Sequence, residues 1–265
     1  MDKRKLFEGT GFFVFDNDQS LFDHSIHTVR EKTYEALEKL KRNGHILCLN
    51  TSRSPEETVN IPQKLQDMMD VIILLDGAYV IHGKDIEVTY LDDDLLPGVI
   101  SFLEEHDVTY RYCLDTGTGY LNREDPDHAM LFQTLYDMTP ETKTYEGERV
   151  IHILYYATGD LREEIIRRAG DMETNRMTIA GEISPKGKSK GKAMLETAEK
   201  LGIARDHVVA FGDAGNDVDM LRLAGTGVAM GNADRECKDA ADYVTDDISD
   251  EGIFNALVRF GFIEE

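Results

Sequence analysis

The sequence predicts an α/β protein in which a parallel sheet is flanked by helices and a second, α+β module is inserted into the chain. Short apolar runs suited to buried strands alternate with helical repeats in the first part of the chain. The same alternation returns near the C-terminus, whereas the pattern between about Tyr79 and Ile183 is looser. We therefore expect a core made of residues 1–78 and 186–265, with residues 79–185 inserted between its halves.

The first block contains three predicted strands, with one predicted helix after the first strand. The apolar run Phe12–Phe15 ends abruptly at Asp16, and apolar residues then recur at helical spacing from Ile26 to Arg42. Asn43 and Gly44 supply the helix stop. The next two strands are predicted at 46–49 and 71–75. Polar residues collect after each strand, which is typical of a parallel sheet whose ligands bind at the strand ends.

The remaining elements follow from the same patterns. In the C-terminal block, helices are predicted at 190–201, 217–224 and 253–260, and strands at 208–211 and 228–230. In the middle segment, residues 108–114 and 149–156 alternate like strands with one exposed face, and 97–105 and 161–169 repeat like helices. This mixture indicates an α+β module.

The composition describes an ordinary globular chain with a strong negative charge. The 265 residues are 41% hydrophobic and 30% charged, which allows one or two domains with a buried core. The formal net charge of −22 would repel a phosphate backbone or an acidic membrane, so neither nucleic acid nor membrane is an expected partner. A small phosphate ester could bind where a divalent metal and one or two lysines overcome this charge.

The cysteines and apolar runs indicate that the chain is not a disulfide-rich, secreted or membrane-spanning protein. Cys48, Cys113 and Cys237 are odd in number and far apart, so we expect no disulfide framework and no cysteine metal site. The first apolar run is shorter than a signal-peptide core, and no stretch approaches the ~20 apolar residues of a membrane span. We expect a cytoplasmic protein that is a monomer or a small homo-oligomer.

Four short polar segments, here called islands, follow predicted strands or begin predicted helices. In the first, Asp16 and Asp18 could divide metal binding, nucleophilic attack and proton exchange between them. A solvated acidic turn is the alternative. In the second, Thr51 and Ser52 offer hydroxyl and backbone N–H donors that could hold a phosphate, or could simply cap a helix.

The other two islands supply cations and further carboxylates. Four lysines alternate with other residues between 186 and 192, where one of them could neutralise a phosphoryl group or all could be solvated. The fourth island runs from Gly212 to Asp217 and is the most specific of the four. Its small residues permit a sharp turn, and the hard oxygens of Asp213 and Asp217 suit Mg²⁺.

In this order, the islands resemble the four motifs of haloacid dehalogenase superfamily phosphatases. The chain is most similar to the Cof-like group, type IIB, in which a large cap lies between motifs two and three. The matching residues are Asp16-x-Asp18, Thr51, Lys190 and Gly212-Asp213-x-x-Asn216-Asp217, followed by the segments 227–233, 241–245 and 251–252. The resemblance implies a Rossmann-like core and a substrate-selecting cap, although the cap matches only by size and position.

The resemblance also implies a mechanism. The protein would be a Mg²⁺-dependent phosphatase of small phosphorylated metabolites, with sugar phosphates as the first expectation. Asp16 would be the nucleophile that forms an aspartyl-phosphate, and Asp18 would be the general acid and base. The implied metal residues are Asp16, Asp18 (through its backbone carbonyl), Asp213 and Asp217, and the implied phosphate-binding residues are Thr51, Ser52, Lys190 and Asn216, with Asn216 orienting Lys190 or the phosphate.

Three residues depart from the family pattern. The usual Gly-Thr after the second aspartate is replaced by Gln19 and Ser20, the usual Gly before Arg53 is Ser52, and a usual Asn is Asp76. None removes a group that the mechanism requires, but each could alter loop shape, metal affinity or rate. Four other candidates are expected to be structural or solvent-facing: His24, His27, Arg53 and His82.

Two alternative functions remain open on the sequence. A phosphomutase would move a phosphoryl group between two positions of one sugar and would release no phosphate. A non-catalytic metabolite-binding protein is compatible with Gln19, but such a protein would need no nucleophile at Asp16.

Overall fold

The computed structural model describes residues 6–265 and contains two large sheets and one two-stranded sheet. The strands are β1 (Phe12–Phe15), β2 (Phe22–Asp23), β3 (Thr28–Val29), β4 (Ile46–Asn50), β5 (Val71–Leu74), β6 (Tyr79–His82), β7 (Asp85–Val88), β8 (Tyr110–Leu114), β9 (Gly119–Leu121), β10 (Glu141–Thr142), β11 (Val150–Tyr155), β12 (Glu173–Arg176), β13 (Gly181–Ser184), β14 (Val208–Gly212), β15 (Thr226–Ala229) and β16 (Tyr243–Val244). The helices are α1 (Glu31–Arg42), α2 (Gln63–Met68), α3 (Leu96–Glu105), α4 (Pro126–Tyr136), α5 (Gly159–Ala169), α6 (Lys190–Lys200), α7 (Val218–Leu223), α8 (Arg235–Ala240) and α9 (Gly252–Arg259).

The eight-stranded sheet forms the predicted parallel core. Its order is β16-β15-β14-β1-β4-β5-β6-β7, and the pairs from β16 to β5 are parallel. All four residues of β1 are buried, as expected of a central parallel strand covered on both faces. Phe15 lies opposite Leu49 on one side and Phe211 on the other, so the carboxyl ends of β4, β1 and β14 are adjacent. The α/β fold class is confirmed.

The six-stranded sheet belongs to the middle of the chain and has the order β10-β9-β8-β11-β13-β12. Its strands pair antiparallel, except that β9 and β10 are parallel. Because side chains alternate along a strand, the two faces differ. Ile153 and Tyr155 pack into the apolar cluster that includes residues of α3 and α5. Arg111 and His152 are on the other face, and Arg111 pairs there with Glu57 of the core.

The edge of the core sheet extends into the range assigned to the inserted module. The strands β6 and β7 lie within 79–185, yet they pair antiparallel with β5 and with each other in the eight-stranded sheet. We propose that the module begins after Val88. Within residues 6–265, the structure holds no helix with the length and apolarity needed to cross a bilayer.

The predicted helix from Ile26 to Arg42 is wrong in its first residues, since α1 begins at Glu31. The preceding segment forms the β2–β3 hairpin, in which Phe22 pairs with Val29. Hydrogen bonds to the Asp23 carboxylate fix its turn, and Ile26, which the helical pattern included, is exposed. The hydrogen bonds to Asp23 therefore determine the local structure, although the apolar spacing predicted a helix here.

Candidate active site

Asp16 lies directly after β1, at the carboxyl edge of the core sheet. Its backbone N–H continues the ladder by donating to the Phe211 carbonyl at 2.9 Å. The side chain is buried, and its Oδ1 accepts a hydrogen bond from Lys190 Nζ at 2.6 Å. The carboxylate is therefore fixed at the strand end, in contact with a single buried cation.

Lys190 is the first residue of α6, which Ser189 caps by accepting from the Lys192 N–H. The Lys190 ammonium is buried and also donates to Asp217 Oδ1 at 2.7 Å. Burial alone would lower the pKa of Lys190, but Asp16 and Asp217 raise it well above its ordinary value. Lys190 thus carries a permanent positive charge beside Asp16.

Asp16, Asp213 and Asp217 form a compact acidic cluster, with one oxygen of each within 4.8 Å of the others. Burial and the neighbouring Asp217 raise the pKa of Asp16 well above its ordinary value and that of Asp213 to about 7. Crowded carboxylates of this kind favour a bound cation, and oxygen donors suit Mg²⁺. The residues present therefore fit the predicted metal.

Asp217 has a supporting place within this cluster. Its Oδ2 accepts from the backbone N–H groups of Asp213 and Ala214 at 2.9 and 3.1 Å, while its Oδ1 accepts from Lys190. Both oxygens are thus engaged in holding the loop after β14 and the lysine. On the facing loop, the Ser20 hydroxyl lies 3.4 Å from Asp213 Oδ1, to which it donates.

The Asp18 carboxylate is turned away from the acidic cluster. It accepts from Arg53 on both oxygens and contacts His24 Nε2 at 2.7 Å. Burial would raise the pKa of Asp18, but the bonds to His24 and Arg53 hold it well below its ordinary value. Asp18 is therefore an ion-paired carboxylate in this arrangement, and a role for its backbone carbonyl at the metal stays a prediction.

Arg53 and His24 are therefore site residues that sequence reasoning set aside as structural or solvent-facing. Arg53 is buried, and its Nη1 also donates to the Glu57 carbonyl and to Asn60 Oδ1. Asn60 in turn donates to the Leu135 carbonyl in the inserted module. The position of Arg53, two residues after the predicted phosphate-binding Thr51, was the available signal.

The predicted phosphate-binding residues lie in two different environments, a buried strand end and a cavity wall. Thr51 is buried after β4, and its hydroxyl accepts from the Arg53 N–H at 3.2 Å. Ser52 and Asn216 line a cavity between the core and the inserted module. Among the described residues, Lys190 Nζ donates to Asp16 and Asp217, so of the two predicted roles of Asn216 the one toward the phosphate stays a prediction.

Two of the residues that depart from the family pattern, Gln19 and Asp76, differ in burial. Gln19 has a left-handed backbone, with φ of +60°, and its side chain is exposed, so it does not fill the metal site. Asp76 is also left-handed, with φ of +51°, but it is buried. Asp76, His152 and Glu182 offer ligand atoms within 4.8 Å of one another.

This second cluster contains buried polar atoms without hydrogen bonds, although His152 Nε2 lies 4.0 Å from Glu182 Oε1. Within residues 6–265, Asp76 Oδ1 and His152 Nε2 are buried and accept or donate no hydrogen bond. Burial raises the pKa of Asp76 to about 6 and, with Asp76 as a second cause, that of Glu182 to about 8. Burial and then Arg111 lower the pKa of His152 to about 3. The cluster lies where the module meets the core.

A buried ion-pair network also joins the module to the core. Arg111 on β8 donates to Glu57 Oε1 at 2.8 Å and to Glu56 Oε2 at 2.9 Å. Glu56 also accepts from the Gly119 N–H at 2.9 Å. Since Glu57 follows Arg53 by four residues, the core segment that contacts Asp18 also contacts the module.

The comparisons with known proteins agree with this geometry. A family model described as haloacid dehalogenase-like hydrolase matches residues 13–257. The chain is 25% identical to a Bacillus subtilis 5-amino-6-(5-phospho-D-ribitylamino)uracil phosphatase, YitU, over 88% of this chain and 91% of that protein. It is 29% identical to the HMP-PP phosphatase of Cronobacter sakazakii, over 83% of this chain and 84% of that protein.

The solved structures give the same result. The structure of BT4131, described as a haloacid dehalogenase subclass IIB sugar phosphatase, superposes with a TM-score of 0.89 at 28% identity. The match covers 96% of this chain and 100% of that chain.

Proposed function

The chain belongs to the haloacid dehalogenase-like hydrolase family as a subclass IIB phosphatase, and from this premise we propose that it hydrolyses small phosphorylated metabolites through a phosphorylated Asp16. The observation that carries the proposal is the contact between Asp16 and Lys190, 2.6 Å apart inside a buried acidic cluster. It joins a nucleophilic carboxylate to a cation that can stabilise the negative charge on a transferring phosphoryl group.

In the first step, a carboxylate oxygen of Asp16 attacks phosphorus while the bond from phosphorus to the ester oxygen breaks. Asp18, protonated, gives its proton to the leaving alcohol. In the second step, Asp18 takes a proton from water, the water oxygen attacks phosphorus, and the bond from Asp16 to phosphorus breaks. Phosphate is released and both aspartates return to their initial state.

Asp16 and Asp213 would hold Mg²⁺, with the Asp18 carbonyl as a third protein donor and Asp217 in support. The bound ion would supply positive charge that lets an anionic ester approach the carboxylates. Thr51 and Lys190 would bind the phosphoryl oxygens, and Ser52 and Asn216 would complete the phosphate site from the cavity side.

The inserted module would select the leaving group, since it covers the site from the side of Ser52 and Asn216. One relative acts on an ester that carries a uracil ring, and one structural neighbour is a sugar phosphatase. Sugar phosphates and ring-bearing esters are both candidate substrates. A non-catalytic binding role gains no support, because Asp16, Lys190 and the acidic cluster are all assembled.

The test is release of inorganic phosphate from a panel of phosphorylated metabolites, with Mg²⁺ and with a chelator. Asp16→Asn keeps the shape of the side chain but removes the nucleophile, and Asp67→Asn alters an exposed carboxylate on α2 as the matched control. We expect release that requires both Mg²⁺ and Asp16 and is unaffected at Asp67. Transfer to another position of the substrate without release would instead identify a mutase.

A further inference from the structure

A cavity of about 560 Å³ lies between the core loops and the inserted module. Its size is within the range of small-molecule pockets, and it opens beside the predicted phosphate site. On the core side it is lined by Ser52, Ala214, Gly215, Asn216, Asp234 and Glu236. Because the predicted phosphate-binding residues Ser52 and Asn216 line this cavity, we assign it to the part of the substrate that leaves with the alcohol oxygen. The lining from the module then describes the leaving group.

The module contributes a wall of aromatic side chains. Phe132 and Tyr136 project from α4 with ring centroids 5.5 Å apart, and Tyr156 follows β11. Leu131, Leu135 and Leu154 complete this wall. Within the described chain, neither Tyr136 nor Tyr156 uses its hydroxyl in a hydrogen bond to another residue. Phe132 is buried and lies under the Arg111 guanidinium, so the surface of this wall comes from the half-buried rings of Tyr136 and Tyr156. These two rings also contact Arg53 and His128, and each carries a polar tip.

The rim of the cavity exposes apolar residues that the fold does not require at the surface. Met177 and Ile179 lie between β12 and β13, and 46% and 61% of their surfaces are exposed. Both belong to the short set of large apolar side chains exposed in the described chain. Exposed apolar residues grouped at a cavity mouth usually mark a binding surface.

The charges around the cavity disfavour an anionic leaving group. Arg176 is the one cation among its described lining residues, and its guanidinium already pairs with both oxygens of Glu163 at 2.5 and 2.9 Å. Glu182, Asp234 and Glu236 contribute carboxyl groups. Glu182 is buried at the cavity wall, and its Oε2 accepts from Asn175 Nδ2 at 3.1 Å. A second negative group on the substrate would find no unpaired cation here.

We propose that this enzyme prefers phosphate monoesters whose leaving group carries a flat, conjugated ring and no negative charge. The ring lies against Tyr136 and Tyr156, and its polar substituents meet the tyrosine hydroxyls and Glu182. This inference rests on the proposed phosphatase function and names the substrate class for the same site. Aromatic contacts contribute beyond simple burial, so such esters should rank above sugar phosphates.

The test uses esters of primary alcohols, so that the reacting groups are matched. The probes are benzyl phosphate, 4-carboxybenzyl phosphate, cyclohexylmethyl phosphate and glucose 6-phosphate, each assayed for phosphate release with Mg²⁺. We expect kcat/KM for benzyl phosphate to exceed that for glucose 6-phosphate by about tenfold or more. We expect the added carboxylate to lower it by about tenfold, and the saturated ring by a smaller factor.

Two exposed isoleucines provide a matched pair of variants that leave the core intact. Ile179→Ser alters the cavity rim, while Ile86→Ser alters a similarly exposed residue on β7. We expect Ile179→Ser to lower kcat/KM for benzyl phosphate about threefold or more and that for glucose 6-phosphate by a smaller factor, and Ile86→Ser to change neither.

Each result decides the question. Equal or better turnover of glucose 6-phosphate would overturn the ring preference, and indifference to the 4-carboxyl group would overturn the exclusion of negative charge. Either result would leave the phosphatase function intact. An absence of phosphate release from all four esters and from the wider metabolite panel would overturn the proposed function, and the ring preference with it.

Discussion

Arg53 donates to both carboxylate oxygens of Asp18, through Nη2 to Oδ1 at 2.5 Å and through Nε to Oδ2 at 2.9 Å. Such a bidentate pair holds Asp18 as a carboxylate, whereas the proposed first step requires it to be protonated. The pair must therefore open before the ester is cleaved. Because Arg53 also contacts Asn60, which bonds to Leu135 in the module, the position of the module bears directly on this pair.

Arg53→Lys should weaken the hold on Asp18 without removing the positive charge. The lysine cannot make two parallel bonds, so the pKa of Asp18 should rise toward its ordinary value. Since the protonated acid is needed in the first step, the alkaline decline of kcat/KM should move to higher pH. We expect kcat to fall about tenfold because Asp18 is less precisely placed. Rates measured between about pH 3 and 9 would include the range around the ordinary pKa of 3.8 and would reveal both changes.

His24→Gln is the matched control for this prediction. It removes the single contact of His24 with Asp18 and leaves the two bonds from Arg53 in place. A shift of the pH profile in the same direction should occur, because the bond with His24 also lowers the pKa of Asp18. A pH profile of Arg53→Lys that is identical to that of the native enzyme would contradict the assignment of Asp18 as the acid.

Lys190→Met should abolish most of the activity. Lys190 is buried between Asp16 and Asp217, and its loss would remove a preorganised cation, which costs about 10²–10³ in rate. Two buried carboxylates would also lose their partner, a change that destabilises proteins by roughly 3–5 kcal/mol. Steady-state kinetics and thermal unfolding would be measured together to separate the two effects.

Lys192→Met serves as the control from the same lysine-rich segment. Lys192 is exposed and pairs with Glu173 on the surface, so its replacement should leave kcat/KM within about twofold. Equal losses in the two variants would mean that Lys190 has no special place in the reaction.

The carboxyl edge of the core sheet was predictable from the sequence because parallel strands impose it. A buried strand that ends at Asp16, and another that ends before Asp213, can only present these side chains at one edge of the sheet. The lysine at the start of α6 was chosen among four by the family resemblance, and Lys190 is the buried one of the four. The strand pattern thus predicted where Asp16 and Asp213 lie. The resemblance to the family motif identified Lys190 among the four lysines.

The contacts across the module were not predictable in the same way. Arg111 is the second residue of β8, where alternation indicates only that it faces away from Tyr110 and Tyr112. Its partner Glu57 is distant in sequence, and the match depends on how the two sheets are placed. Pairing between separate layers has no periodic signal, which is also why Arg53 appeared to be merely structural.

Gln19→Gly should change the activity little, although glycine is usual at this position in the family. The Gln19 side chain is exposed, and the loop is fixed by its backbone, which bonds to Phe22 and to Asn232. We expect kcat/KM to stay within about threefold of the native value. Asn232→Ala, which removes the bond to the Gln19 carbonyl, should have the larger effect. A tenfold gain in Gln19→Gly would show instead that the native side chain restrains the loop.

Asp76→Asn should stabilise the protein at neutral pH. The Asp76 carboxyl is buried near Glu182, and its pKa is raised to about 6 from an ordinary value of 3.8, chiefly by burial. The folded state therefore binds the proton more tightly than the unfolded state, so stability falls as the pH rises from about 4 to about 6 and stays lower above it. The loss is on the order of 1–3 kcal/mol.

Asparagine removes this titration and tolerates the left-handed backbone at φ of +51° at least as well as aspartate. The variant should match the native protein near pH 4 and exceed its free energy of unfolding by about 1–3 kcal/mol at pH 7.5. Urea unfolding at both values of pH measures the difference. Asp137→Asn is the matched control, because Asp137 has φ of +61° but is exposed. If both variants gain equally, or if the gain at Asp76 does not depend on pH, backbone preference rather than buried charge is the cause.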